Sequence, residues 1–247
     1  MTFQERQSAP SADYSIGDVI SETFRILLGS PAKFLGVAAI SVIPAVLGYL
    51  IAGPFALVPG RGMSGWLVIL FGMVLGFISQ AAITFGAFEM LRGRDFDVGH
   101  AVSGALARIV TVAALSLVVA VIFGIGFALL FVPGLIALCM FFVVLPVCVV
   151  ERTGISDSLG RSRLLTSGFR WKILGQLAAL FLPAYLLIFL ISYLLNSAGM
   201  PMLGLWIQHL IGILLSAIGS ILGAVTYFRL RNLKEGVDLE RIASVFD

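Results

Sequence analysis

The stretch Leu145–Lys172, LPVCVVERTGISDSLGRSRLLTSGFRWK, closes one long apolar run, carries Glu151, Arg152, Asp157, Arg161, Arg163, Arg170 and Lys172, and opens another apolar run at Ile173. It reads as a chain that leaves a bilayer, lies along its surface and turns back into it. Upstream of Glu151, residues 109–150 are forty-two residues without a charge. As one helix they would measure about 63 Å, twice the roughly 30 Å of a hydrocarbon core, so the chain turns inside the run. Val132-Pro133-Gly134 is the strongest breaker near its middle. It predicts spans over about 111–131 and 135–150, joined by a tight turn at Pro133 and Gly134.

Composition extends this reading to the whole chain. Hydrophobic residues make up 60% and charged residues 12% of the 247 positions, with a mean hydropathy of +1.07. Soluble domains hold roughly 45–50% apolar and about 25% charged residues, so a water-soluble fold is excluded and the bilayer is the solvent. The first residues lack a basic start followed by an apolar core, so no secretory signal is read there; residues 1–14 are expected to be a disordered cytoplasmic tail. Cys139 and Cys148, nine apart on one apolar segment, point to opposite sides of a helix and are too far apart for a disulfide.

Working outward, the same arrangement occurs twice more. Ile16, Val19, Ile20, Thr23, Phe24 and Leu27 recur at helical spacing behind Ser15, an N-cap residue. Val98, Ala101, Val102, Ala105, Leu106 and Ile109 do so behind Asp97. In the third copy Gly154, Ile155, Ser158, Leu159 and Ser162 take the corresponding places. Each surface helix precedes two spans: about 34–51 with Pro44 and 66–90 in the first copy, the divided run in the second, and 173–195 with Pro183 and 206–228 in the third. The expected fold is an all-α integral membrane protein. Six transmembrane helices and three cytoplasmic interfacial amphipathic helices form a threefold pseudo-repeat of units 16–91, 98–150 and 155–231 in one domain over 15–231, with a short tail over 232–247.

Lys and Arg number three before the first span, three in 90–108, five in 151–172 and four after the last span, against Arg61 alone in the opposite loops. Fifteen against one places both termini in the cytoplasm of a bacterial inner membrane.

Chemistry is sparse. No metal motif, nucleotide loop or nucleophile–base constellation occurs, so no enzyme, cofactor, metal or nucleic-acid partner is expected. Glu89 is read as an interfacial ion pair with Arg92. The mid-span polar residues Gln80, Thr84, Ser116, Gln176, Ser192, Ser216 and Ser220 are either interhelical hydrogen-bonding groups or the lining of a path for a small substrate. Gly72/Gly76, Gly212/Ser216 and Gly219/Gly223 are small-residue pairs for close helix approach, within the chain or in a homo-oligomer or membrane-protein partner. The group Glu151, Arg152, Arg161, Arg163, Arg170 and Lys172 has two readings. One is a structural clasp between the span ending at Val150 and the surface helix after it; the other is a site for anionic lipid head groups on the cytoplasmic side.

Pro133-Gly134, Pro146, Val150-Glu151, Gly154, Leu159, Arg161-Ser162, Leu165-Thr166 and Gly168 together resemble the pattern of YciC-like bacterial six-span membrane proteins. They also resemble the membrane domain attached to some glycerophosphodiester phosphodiesterases. Ser158 stands where that pattern usually has Ala, and no catalytic domain follows the last span, so phosphodiesterase activity is not implied. The expected function is a non-enzymatic inner-membrane protein for lipid or envelope organisation, or a membrane module for a partner. The alternatives are a small-molecule or lipid-like transporter and an accessory subunit of a larger complex.

Overall fold

The structure is a computed structural model that describes residues 14–53 and 62–236. The expectations for residues 1–13, Arg61 and 237–247 lie outside these. Among the described residues the regular elements are helical, and six helical stretches are long and apolar enough to cross a membrane. In chain order the α-helices are α1 (Ile16–Gly29), α2 (Pro31–Ala39), α3 (Ile43–Ala52), α4 (Gly62–Leu91), α5 (Val98–Ala107), α6 (Ile109–Leu129), α7 (Phe131–Phe141), α8 (Val144–Val150), α9 (Ile155–Thr166), α10 (Arg170–Ser197) and α11 (Pro201–Arg231).

Helices α4 and α11 pack on each other and on most of the rest. Their buried faces are built from small and branched side chains: Ala82, Ile83 and Ala87 of α4 and Ala217, Ile221, Ala224 and Val225 of α11 are all fully buried. Small residues let helix backbones approach where no hydrophobic driving force distinguishes protein from lipid. By contrast α6 and α10 turn mostly outward.

The three short helices are held differently from one another. Ser15 caps α1 by accepting from the Asp18 N–H, and Asp97 caps α5 by accepting from the His100 N–H. Helix α1 packs on α11 and α10 and buries Val19, Thr23, Ile26 and Leu27, while Phe24, on the apolar face expected from periodicity, is exposed. Ahead of the helix, Tyr14, at the end of the expected tail, is buried and donates to the Gln176 side chain. Helix α9 buries a row of hydroxyls rather than an apolar stripe: Ser158, Ser162 and Thr166 beside Leu165.

Two breaks depart from expectation. The α6–α7 hairpin turns at Leu130, which is extended, and Pro133-Gly134 lies inside the first turn of α7. Proline is tolerated there because first-turn amides have no intrahelical acceptor. The turn is tight because glycines face each other: a Cβ on Gly126 would lie 3.1 Å from the Gly134 Cα, and one on Gly134 would lie 2.5 Å from the Phe127 ring. The span carrying Pro146 is two helices, α7 and α8, broken at Phe142 and Val143. Pro146 has no N–H to offer the carbonyl four residues back, so the effect of the ring appears upstream of it. Pro44 acts alike, with a 3₁₀ turn over Ile40–Val42 before α3, whereas α10 runs through Pro183 without interruption.

The breaks upstream of Pro44 and Pro146 each receive hydroxyls from another element. Ser79 of α4 donates to the Val37 carbonyl at 2.7 Å. Ser162 of α9 donates to the Met140 carbonyl at 2.9 Å, and the Thr166 hydroxyl, whose shorter contact is with the Ser162 carbonyl at 2.9 Å, shares its proton with the same Met140 oxygen at 3.2 Å. A carbonyl at this depth has no water to turn to. Ser162→Ala is expected to destabilise by about 0.5 kcal/mol because Thr166 remains, whereas Ser162→Ala with Thr166→Val leaves the carbonyl bare and is expected to cost about 2 kcal/mol. Reversible unfolding in mixed micelles measures both, and strictly additive losses would count against a shared acceptor.

Candidate functional site

The end of α8, helix α9 and the end of α11 meet at the edge that carries the basic residues. The Arg161 Nε donates to both carboxylate oxygens of Glu151 at 3.1 Å, and its Nη2 pairs with Glu235. Tyr227 donates to Glu151 at 2.9 Å, while Arg231 donates to the Tyr227 hydroxyl at 3.1 Å and to Glu235 at 2.7 Å. Two carboxylates thus sit between two guanidiniums, with a fully buried tyrosine linking them. Burial works against the Arg161 charge, but its bonds to Glu235 and Glu151 outweigh that and raise its pKa above the ordinary arginine value.

Of the residues grouped by sequence, the structure therefore brings Glu151 and Arg161 into direct contact. Arg163 is exposed and makes no ion pair among the described residues. Arg152 is exposed, Lys172 is half-buried, and Arg170 is half-buried with its Nε enclosed and without a hydrogen-bond partner. Between those last two, Trp171 is 84% exposed at the start of α10, the position of an interfacial anchor. Gly154 is the extended N-cap of α9, and Gly168, at φ +85, supplies the left-handed turn that directs the chain into α10. Glu89 pairs with Arg94 at 3.8 Å rather than with Arg92, whose guanidinium lies over the Phe88 ring at 4.3 Å.

Sequence reasoning missed Tyr227, Arg231 and Glu235 as members of the clasp. Only the spacing of Arg231 and Glu235, four apart on a helical stretch, signalled a pair. It also missed Arg108, which donates to the Cys148 and Arg152 carbonyls at 2.8 Å each and so closes the end of α8.

Five of the seven mid-span polar residues divide into two sets, while Ser116, its hydroxyl buried without a partner among the described residues, lines a separate pocket and Ser192 belongs to neither set. Gln176 is consumed structurally, accepting from Tyr14 and donating to Thr226 at 2.8 Å. Gln80, Thr84, Ser216 and Ser220 instead line a cavity of about 510 Å³ between α4, α8, α10 and α11, together with Gln208. Phe142, Phe181 and Tyr185 supply aromatic walls, and no ionisable acid or base other than Tyr185 lines it. The side chains of Gln80, Thr84, Gln208 and Ser216 make no hydrogen bond to protein among the described residues. Of the small-residue pairs, Gly219 and Gly223 meet Phe181 and Pro146, while Gly72, Gly76 and Gly212 have open space before them. His209 is engaged within its own helix, its Nδ1 being 2.8 Å from the Leu205 carbonyl.

The chain matches no known family, curated protein or solved structure.

Proposed function

We propose that the chain is a non-enzymatic six-span protein of the bacterial inner membrane that binds an uncharged, lipid-like molecule in the cavity between α4, α8, α10 and α11. The carrying observation is a set of amide and hydroxyl groups within the spans that lack partners among the described residues and face a space of about 510 Å³. Unpaired polar groups in an apolar medium are costly, and a ligand with a hydroxyl, ester or amide head satisfies them. A charged ligand has no counter-ion among the lining residues and is disfavoured by desolvation. The aromatic walls and the apolar outer faces of α10 suit an acyl or isoprenoid tail. Of the functions weighed from sequence, this favours handling of lipid-like molecules.

The wider setting belongs to the same proposal. Units 16–91, 98–150 and 155–231 form a pseudo-repeat with α1, α5 and α9 at the cytoplasmic interface, and the termini are cytoplasmic, as the distribution of basic residues supports. Kinship with the YciC-like proteins rests on residues 133–172.

A plug tests the binding. A Cβ at Gly212 meets nothing within 4 Å, so Gly212→Phe projects into the cavity without a backbone clash. Photocrosslinking to a diazirine-bearing diacylglycerol in nanodiscs is expected to fall at least about tenfold, or about 1.4 kcal/mol in affinity. Gly72→Phe, in open space away from the cavity, is expected to label like the parent. Equal labelling of all three proteins would remove the proposal.

A further inference from the structure

A second pocket lies at the basic edge, where α4, the α5–α6 junction and α8 meet. It encloses about 260 Å³; Phe85, Ala105, Val112 and Val149 supply apolar walls, and Arg108 and Arg152 are the only charged groups that line it among the described residues. This site is separate from the cavity between α4, α8, α10 and α11, and uses none of its residues.

The two arginines are placed by different means. Arg108 sits at the junction between α5 and α6 and spends two of its N–H groups on the carbonyls of Cys148 and Arg152. A guanidinium has five N–H donors, so others remain. Arg152 follows the end of α8 with φ 55, the only non-glycine residue with a positive φ among the described residues. Helices commonly end on a glycine in this left-handed conformation because side chains are disfavoured there. An arginine held there is a backbone outlier, and such outliers concentrate at binding sites. Its side chain makes no hydrogen bond among the described residues, because the neighbouring carboxylate of Glu151 is taken by Arg161 and Tyr227. Two cationic groups with spare donors therefore border an apolar pocket that contains no acid. Beside it the surface is apolar and outward-facing: Leu106 and Val110 are 49% and 79% exposed.

We propose that this pocket holds the head of an anionic phospholipid, the phosphate between Arg108 and Arg152 and the start of the acyl chains against Phe85, Val112 and Val149. The charge selects an anion, and the adjoining apolar surface selects one attached to a lipid over one free in solution. Arg161, by contrast, has its charge satisfied by Glu151 and Glu235 and takes no part.

Arg152→Gly separates this role from a structural one. Glycine suits the observed φ, so the variant is expected to fold with an unchanged or higher unfolding midpoint while losing the guanidinium. The protein in nanodiscs of phosphatidylcholine is titrated with short-chain phosphatidylglycerol and read by native mass spectrometry. The parent is expected to take up phosphatidylglycerol preferentially, and Arg152→Gly to bind it about tenfold more weakly, as for one lost charge-assisted hydrogen bond. Arg25→Gln, which removes the same charge from the exposed side of α1, is expected to bind like the parent. Equal uptake by Arg152→Gly and parent overturns the proposal, as does an equal loss in Arg25→Gln, which would make the attraction a diffuse surface effect. Displacement of the lipid by millimolar inorganic phosphate would make this a soluble-anion site and overturn the lipid assignment.

Discussion

Phe96→Ala is expected to destabilise the protein by about 3–5 kcal/mol, near the top of the range for truncating a buried aromatic. Phe96 lies in the short link between α4 and α5, yet is 1% exposed. Its ring stacks on Phe34 of α2 with centroids 4.7 Å apart, and its carbonyl accepts from the Lys33 Nζ at 2.8 Å. The link is thus pinned beneath α2 from both sides, and the ring is seated against α4 so closely that a Cβ on Gly86 would be 2.2 Å from it. That contact turns the prediction into a cycle. Gly86→Ala alone overpacks the seat and is expected to cost about 1–3 kcal/mol. In the Phe96→Ala background the added methyl group enters vacated space, so the double variant is expected to be more stable than the sum of the single losses by at least about 1 kcal/mol. Unfolding in mixed micelles decides it. A Phe96→Ala loss under about 1 kcal/mol would mean that the link is not held by its aromatic ring.

Phe96 also marks where sequence reading stops. The six apolar stretches were plain because twenty uncharged residues have few alternatives to a bilayer, and Ser15 and Asp97 announce their helices because capping is local chemistry. A single aromatic amid Arg94, Asp95 and Asp97 carries no such pattern, since its burial depends on α2 lying over it. The same holds for the hairpin turn. Pro133-Gly134 was the visible breaker, but the two backbones meet at Gly126 and Gly134, and the extended residue is Leu130. Pro146 was visible as well, although its consequence appears upstream, and the hydroxyls that answer it lie on α9. The residues of the Leu-x-Arg-Ser and Leu-Thr-x-Gly pattern acquire separate physical tasks. Arg161 joins the clasp, Ser162 and Thr166 seal the broken span, Leu165 is fully buried and Gly168 turns the chain. The cavity was half legible. Its polar residues stood out by type, but only the positions of α10 and α11 separate Gln176, which is consumed, from Gln80, which is not.

Glu151→Ala is expected to cost about 2–3 kcal/mol, more than removing both members of its pair. Breaking a fully buried ion pair costs about 3–5 kcal/mol because the surviving charge is stranded. Here the side chains of Arg161 and Glu151 are 27% and 16% exposed, so solvent moderates the penalty. After Glu151→Ala, Arg161 still has Glu235, but Tyr227, fully buried, has lost the acceptor for its proton. In Glu151→Leu with Arg161→Met neither charge of the pair remains and the apolar replacements fill most of the volume; the Tyr227 hydroxyl is left alike in both variants, still accepting from Arg231, so the difference between them reports the unpaired side of the Arg161 charge and the lost packing. The double variant is therefore expected to recover at least about 1 kcal/mol relative to Glu151→Ala. The comparison also separates the two meanings of the basic cluster. If Arg161 serves the clasp, its loss shows in unfolding and leaves phosphatidylglycerol binding at Arg152 intact. A drop in lipid binding with no change in stability would place Arg161 among the head-group ligands and dissolve the clasp. The geometry favours the first outcome, because both Glu151 and Glu235 already face the Arg161 guanidinium, and a phosphate approaching it would meet two carboxylates.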